Sequence, residues 1–155
     1  MAFSVFKTRS FTNKNHTIWL VLKTLIIENI IYNTNTYNQK MKLPDKKFIA
    51  MTIEIIEANY DNKDFGCPEL CEALGMSRSH IHRKIKKAFN TSTSGFILQI
   101  RMEKAKEFLM QKNQKISSIA HKVGFSDANY FSRSFSTFYG ISPIRYRQML
   151  MKSRD

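Results

Sequence analysis

A short pattern that occurs twice, 49 residues apart, is the feature that most constrains how this chain can fold. Both copies have apolar and small residues, then a glycine, a hydrophobic residue and a serine; they are Leu70–Ser77 and Ile119–Ser126. A single Gly-x-Ser turn is weak evidence, because such turns end helices in many proteins. Two copies in register, with the length of a long helix between them, indicate a duplicated structural unit.

The apolar residues after Asp45 follow a helical spacing, with no convincing strand alternation. Gly75 separates the two helices of the first copy, and Ser77 is placed to cap the second of them. Gly124 and Ser126 occupy the same places in the second copy, so each copy has helix-turn-helix spacing. The sequence therefore predicts an all-α fold of two homeodomain-like helix-turn-helix units and a linker helix. The seven predicted helices are Asp45–Asn59, Glu69–Leu74, Arg78–Phe89, Ser94–Gln111 (the linker), Ile116–Val123, Asp127–Tyr139 and Pro143–Met149.

The charge of the chain restricts its partners. It has 25 Lys and Arg residues against 12 Asp and Glu residues, a net charge of +13. Such an excess favours a polyanionic partner, either nucleic acid or an anionic membrane surface. Residues 45–155 mix the two signs, as the surface of a folded domain does, whereas residues 1–44 contain a single acid. We therefore expect an N-terminal extension at 1–44 and a helical domain at 45–152.

The N-terminal extension contains one apolar run, Ile18–Ile31, which is interrupted by Lys23 and Glu28. The run is shorter than a membrane-spanning helix requires, and no small-residue cleavage site follows it. It can be interpreted as a packed helix, as a buried strand or as an anchor on a membrane surface. Residues 33–39 are polar and aperiodic, which predicts a linker.

The second copy and the residues after it carry the signature of a known family. The matching residues are Ile119-Ala120, Gly124-Phe125, Asp127, Tyr130-Phe131, Arg133, Phe135, Gly140, Ser142-Pro143 and Tyr146-Arg147, with Arg101, Ala105 and Phe108-Leu109 in the linker helix. Together they closely resemble the DNA-binding domain of the AraC/XylS family, from about Phe48 to Arg147. Residues 66–89 are also similar to the output domains of hybrid two-component regulators from Bacteroidetes. The resemblance does not cover residues 1–42.

The resemblance implies a cytoplasmic, sequence-specific regulator of transcription that binds double-stranded DNA and needs no cofactor. Each helix-turn-helix unit would insert one recognition helix into successive segments of the major groove. Activation by contact with RNA polymerase is implied by the resemblance alone, and no ligand-binding domain is recognisable. Two other interpretations stay open: the chain is the detached output module of a membrane-linked two-component sensor, or it is a basic protein that binds membrane surfaces.

The first recognition helix is predicted to carry most of the DNA contacts. By the resemblance, Ser79, His82 and Arg83 occupy the positions that reach base edges, and their spacing places them on one helix face. Arg83 can donate two hydrogen bonds to guanine, and His82 can donate or accept one. A basic helix face is more often only a solvated surface; here it belongs to the second helix of a helix-turn-helix unit. The expected phosphate contacts are Arg78, Lys84, Lys86 and Lys87.

The second recognition helix offers fewer charges. Asn129 could pair with adenine and Arg133 with guanine or phosphate, although an ion pair within the protein is an equal alternative for Arg133. Tyr130 could belong to the edge of the core or contact the DNA backbone. The residues expected on the outward face are Ala128, Asn129, Ser132 and Arg133. The aromatic residues expected in the core are Phe131, Phe135 and Phe138.

The chain departs from the family pattern after the first recognition helix and late in the second. Asn90, Thr93 and Gly95 stand where the family often has glycine, proline and an acid. Asparagine tolerates the left-handed conformation that glycine would supply, so we expect the fold to be preserved. Ser136 and Thr137 stand where lysine is common, which would weaken a phosphate contact at the second unit.

Cys67 and Cys71 are too few for a disulfide framework, which fits a reducing compartment. Their spacing would allow a metal ion to bind with His80 or His82, but no second ligand pair has zinc-finger spacing. A small hydrophobic core residue is the simpler interpretation of Cys71. No Ser-His-Asp set, phosphate-binding glycine loop or His-Glu-x-x-His motif is present, so we predict no enzymatic activity.

Overall fold

The computed structural model describes residues 43–111 and 114–152, which contain seven helices and no strand. The predicted all-α fold is confirmed. The apolar run Ile18–Ile31 and the predicted linker at 33–39 lie outside the described residues. Every described residue belongs to the C-terminal of the chain's two compact parts, Leu43–Asp155. The helices are α1 Leu43–Asn59, α2 Cys67–Leu74, α3 Arg78–Phe89, α4 Thr93–Leu109, α5 Ile116–Lys122, α6 Ala128–Tyr139 and α7 Pro143–Lys152.

The ends of α3 lie where the sequence places them. The Ser77 hydroxyl accepts a hydrogen bond from the backbone N–H of His80, which satisfies a donor that the first helical turn leaves open. Asn90 ends the helix in the left-handed conformation, with φ of 53°, as expected from its tolerance of that region. The next helix, α4, begins before the predicted Ser94, because Ser92 caps it through the backbone N–H of Gly95.

The second copy departs from the first by one residue at the start of its recognition helix. Asp127, and not the predicted Ser126, is the N-cap of α6, and its carboxylate accepts a hydrogen bond from the backbone N–H of Tyr130. The turn after Gly124 is therefore one residue longer than the turn after Gly75. The duplication is preserved in architecture but not in strict register.

The linker helix α4 holds the two units together, because it packs against α1 and α3 and also against α5 and α7. On the second unit, the Tyr139 hydroxyl donates to Glu103 Oε1 at 2.9 Å, and Lys106 pairs with the other oxygen of Glu103. Burial and the Glu103 carboxylate raise the pKa of Tyr139, so the hydroxyl stays protonated and donates. The buried residues of this unit are Met102, Ala105, Leu109, Ile119, Ala120, Val123, Phe125, Phe131 and Phe135.

Arg101, in the middle of α4, binds the loop between α1 and α2. Its Nε donates to the carbonyl oxygen of Tyr60 at 3.0 Å, and its Nη2 donates to those of Asn62 and Phe65 at 2.7 and 3.1 Å. The bonds to Tyr60 and Phe65 are partly buried, where a carbonyl without a partner would be costly, whereas the bond to Asn62 is exposed. The planar guanidinium serves three acceptors at once, which the single ammonium of a lysine could not do in the same geometry.

Gly124 lies against this contact. A Cβ atom built at Gly124 would lie 2.3 Å from the carbonyl oxygen of Tyr60 and 2.9 Å from Nε of Arg101. At Gly75, the matching turn of the first unit, nothing lies within 4 Å of a built Cβ. Both glycines have positive φ, 79° at Gly124 and 61° at Gly75. Conformation alone therefore favours glycine at the first turn, whereas conformation and close packing both require it at the second.

The two glycines give a matched pair of stability tests. Gly75→Ala should lower the free energy of unfolding by about 1 kcal/mol, because alanine is disfavoured at positive φ. Gly124→Ala should lower it by roughly 2–4 kcal/mol, because the methyl group must also displace a backbone carbonyl. Urea unfolding of both variants would measure the difference. Equal losses would contradict the close approach of Gly124 to Tyr60.

The cap of α6 can be tested in the same way. Asp127→Ala should lower the free energy of unfolding by about 1 kcal/mol, because it removes the acceptor for the first turn. Ser126→Ala should change it by less than about 0.5 kcal/mol, as is usual for an exposed side chain outside such a feature. Thermal unfolding of both variants distinguishes the two residues. A larger loss for Ser126→Ala would restore the sequence prediction.

Candidate nucleic-acid interface

One face of α3 is buried and the opposite face is polar and exposed. Ile81 and Ile85 are fully buried beneath the helix. Ser79, His82 and Arg83 are all exposed, as their spacing predicts. Within the described residues none of these three side chains has a hydrogen-bond or ion-pair partner. Their polar atoms are therefore available to a molecule that approaches this face.

The four basic residues expected to contact phosphates are in two different situations. Arg78 and Lys86 are exposed, and Lys86 makes a hydrogen bond of 3.1 Å to the carbonyl oxygen of Asn90 at the end of α3. Among residues 43–111 and 114–152 no acid pairs with Lys86, so its positive charge is not compensated by an ion pair. Lys84 and Lys87 instead pair with the same carboxylate, that of Asp45 in the first turn of α1.

Lys84 is the more tightly held of this pair. Its Nζ lies 2.6 Å from Oδ1 of Asp45 and 5.0 Å from the centre of the Phe48 ring, a cation–π arrangement. Only 22% of its side chain is exposed, against 69% for Lys87, whose Nζ lies 3.4 Å from Oδ2. The hydrogen bond from Lys84 lowers the pKa of the Asp45 carboxyl, which is therefore ionised at neutral pH. Lys84 thus has its partners inside the protein.

Sequence reasoning missed the contact between Asp45 and α3. An acid in the first turn of a helix is already explained by the positive end of the helix dipole. No local pattern connects it to a lysine 39 residues later in the chain. The two charges come together because α1 and α3 both pack on α2 and α4.

The face that α6 exposes is narrower than that of α3. Phe131 and Phe135 are fully buried, as predicted, whereas Asn129 and Arg133 are exposed. The prediction that Phe138 belongs to the core is wrong, because its side chain is 42% exposed. The buried stripe continues instead through Tyr139, whose ring lies 4.6 Å from that of Phe135. The stripe thus moves by four residues along the helix and not by three.

Three hydroxyl groups of α6 donate hydrogen bonds to its own backbone. Ser132 donates to the carbonyl oxygen of Ala128 at 2.9 Å, Ser136 to that of Ser132, and Thr137 to that of Arg133. This is the common backward hydrogen bond of serine and threonine within helices. The Ser132 oxygen can still accept a hydrogen bond, but its proton is engaged. Ala128 and Ser132 are only half-exposed.

Two residues of α6 had more than one interpretation in the sequence. Across the described ranges 43–111 and 114–152, no acid forms an ion pair with Arg133. The Tyr130 side chain is 53% exposed, with its ring 5.7 Å from that of Phe125. Tyr130 therefore lies at the edge of the core, with part of its surface open.

The cysteines lie together on α2, with their Sγ atoms 3.9 Å apart. Cys67 is buried and Cys71 is half-buried, and burial raises the pKa of the Cys71 thiol. In the part of the chain that the structure describes, no three His, Cys, Asp or Glu side chains are grouped as a metal site would require. No described helix is long and apolar enough to cross a membrane.

Comparison with known proteins identifies this architecture. A family model described as a helix-turn-helix domain matches residues 70–149, just over half of the chain. The chain belongs to the AraC/XylS family. Its AraC-type domain is a DNA-binding domain of transcription regulators.

Individual AraC/XylS relatives and structures agree with this assignment. RafR, the raffinose operon transcriptional regulatory protein of Pediococcus pentosaceus, is 32% identical over 121 residues, 77% of this chain and 42% of that protein. Histidine kinase P4 of Formosa agariphila is 31% identical over 103 residues, 66% of this chain and 8% of that protein. The crystal structure of the C-terminal domain of the two-component response regulator yesN of Fusobacterium nucleatum has 37% identity and a TM-score of 0.61, covering 65% of this chain and 98% of that one. The chain thus spans less than half the length of these two curated relatives.

Proposed function

We propose that this chain regulates transcription by reading DNA sequence with two recognition helices, α3 and α6, placed in successive segments of the major groove. One observation supports this most strongly: the exposed Ser79, His82 and Arg83 have no partner among the described residues, on a basic helix of a helix-turn-helix unit. A helix of this kind fits the major groove, where each base pair offers a distinct set of donors and acceptors.

The side chains of α3 divide into two roles in this proposal. Arg83 donates two hydrogen bonds to guanine, while His82 and Ser79 contact neighbouring base edges. Positive side chains beside them bind phosphates, which adds affinity without sequence choice. The proposed phosphate contacts are Arg78, Lys86 and Lys87. Lys84 is left out of this set, because its ammonium group is held by Asp45 and Phe48.

The second helix contributes fewer contacts in this proposal. Asn129 pairs with adenine, and Arg133 binds guanine or a phosphate. Ser132 serves as an acceptor only, because its proton is given to the Ala128 carbonyl. The methyl group of Ala128 contributes at most an apolar contact, such as one with a thymine methyl. The sequence preference of the chain should therefore depend more on the bases that α3 reads.

The wider role of the chain is also part of the proposal. A regulator of this family acts where the chromosome is, so we place it in the cytoplasm, and we propose that it activates transcription through RNA polymerase. A second candidate is that the chain is the output module of a two-component sensor. Its similarity to the C-terminal domain of the response regulator yesN and to histidine kinase P4 supports that candidate. Both candidates require the same DNA-binding domain.

Selection from a random-sequence duplex library by the full chain tests the proposal. We expect enrichment of a bipartite site, with its two parts about one helical turn apart, roughly 34 Å along the duplex. Binding should weaken steeply as salt rises, because phosphate contacts release counterions. Failure to bind any duplex at low salt would refute DNA binding, and enrichment of a single short site would refute the use of both helices.

Two substitutions on α3 separate sequence reading from phosphate binding. Arg83→Ala should lower discrimination between the selected site and a site with a changed guanine by about 1–3 kcal/mol. Lys86→Ala should weaken binding to all duplexes alike and reduce the slope of log K against log salt by about 1. Titrations of both variants with both duplexes, by fluorescence anisotropy, provide the comparison. Indistinguishable effects would show that these roles are wrongly assigned.

A further inference from the structure

Asp45 introduces a negative charge beside the most basic helix of the domain. Between Arg78 and Phe89, α3 carries five Lys and Arg residues and no acid. The carboxylate of Asp45 reaches two of them, with 2.6 Å to Nζ of Lys84 and 3.4 Å to Nζ of Lys87. The acid comes from a different element, the first turn of α1, so it lies beside α3 only because the two helices meet in the fold.

The two lysines are held to different extents. Lys84 has 22% of its side chain exposed and lies between the carboxylate and the Phe48 ring, so two contacts keep its ammonium group inside the protein. Lys87 has 69% of its side chain exposed, and its contact with Asp45 is longer. A phosphate could therefore replace Asp45 as the partner of Lys87 more easily than it could replace Asp45 as the partner of Lys84.

The contact with Lys87 adds little to the stability of the fold. Exposed ion pairs contribute weakly, because water and salt screen them and long side chains lose freedom when they are fixed. The gain in folding stability therefore does not explain why one carboxylate contacts both Lys84 and Lys87. The larger effect of the carboxylate is on the positive charge that α3 presents to a polyanion.

We propose that Asp45 limits the sequence-independent attraction of α3 for DNA by withdrawing Lys84 from phosphate contact and competing with phosphate for Lys87. This inference rests on the proposed function of α3. Non-specific binding consists almost entirely of phosphate contacts, whereas binding to a preferred site also includes contacts with base edges. An acid that weakens phosphate contacts therefore lowers the affinity for every sequence by a similar factor and makes binding depend less on salt. Asp45 would thus set the overall, salt-dependent affinity of α3 for DNA and not its sequence preference.

The test compares Asp45→Asn with a charge-matched control in the full chain. Asparagine has nearly the same shape as aspartate but lacks its charge. Glu54→Gln makes the same change of charge on the exposed surface of the same helix, at a residue that forms no ion pair with α3 in the part of the chain that the structure describes. For each protein, dissociation constants are measured at several salt concentrations on two duplexes: the selected site and a scrambled sequence of equal length.

We expect Asp45→Asn to bind the scrambled duplex more tightly than either wild type or Glu54→Gln. Its slope of log K against log salt should steepen by about 0.9 for each phosphate that a released lysine contacts. One such contact corresponds to about a threefold larger loss of affinity between roughly 50 and 200 mM salt. The selected duplex should gain affinity by a similar factor, so that the ratio of selected to scrambled affinity stays close to wild type, whereas Glu54→Gln should change neither the slope nor the affinities.

A double-mutant comparison assigns the effect to the lysines. In a Lys84→Ala/Lys87→Ala background, adding Asp45→Asn should no longer steepen the slope, because no lysine is left to release. A full effect in that background would overturn the inference, as would equal slopes for Asp45→Asn and Glu54→Gln. Circular dichroism and thermal unfolding accompany every titration, and Asp45→Ser replaces Asp45→Asn if the latter does not fold.

The outcomes separate this inference from the proposed function. If wild type binds no duplex, DNA binding by α3 is refuted and the inference is refuted with it. If wild type selects a site and Asp45→Asn matches wild type on both duplexes, DNA binding stands and the role of Asp45 is refuted.

Discussion

The guanidinium of Arg101 is the contact on which the arrangement of both units depends. It joins the middle of α4 to three carbonyl oxygens of the loop between α1 and α2. The bonds to Tyr60 and Phe65 are partly buried, and a fully buried carbonyl without a partner would destabilise the folded state by about 1–3 kcal/mol, so these two contacts matter more than the exposed one to Asn62. Gly124 then packs against the same place, near Tyr60 and Arg101. The first unit, the linker helix and the turn of the second unit thus meet at one side chain.

Whether a feature can be predicted from the sequence depends on how far apart along the chain its contacting residues lie. The caps at Ser77 and Asn90 depend on neighbours within four residues, and their local chemistry predicts them correctly. The contacts of Arg101 join residues 36 to 41 positions apart, so no pattern along the chain indicates them. The resemblance draws attention to Arg101 but says nothing of the carbonyl groups that it binds. Tertiary packing decides these contacts, and packing has no period in the sequence.

The errors have equally specific causes. Ser126 and Asp127 are both good N-cap residues, so residue preference cannot choose between them, and the register of the first copy pointed to the wrong one. Helical spacing allows a buried stripe to continue by three or by four residues. In α6 it continues to Tyr139, whose hydroxyl binds Glu103 of α4, and Phe138 is left exposed. For the buried stripe, a contact with another helix selects between two locally equivalent answers.

The two recognition helices have the same length and fold position but differ in what they offer to DNA. The positive charge of α3 is partly balanced by Asp45, and the exposed Ser79, His82 and Arg83 have no partner among the described residues, whereas three hydroxyl groups of α6 bind its own backbone. In the proposed function, α3 supplies most of the attraction. Because both helices pack on α4 or on helices that contact it, binding by α3 would bring α6 to the DNA at a high effective concentration. A few contacts from Asn129 and Arg133 could then add sequence preference without a strong phosphate attraction of their own.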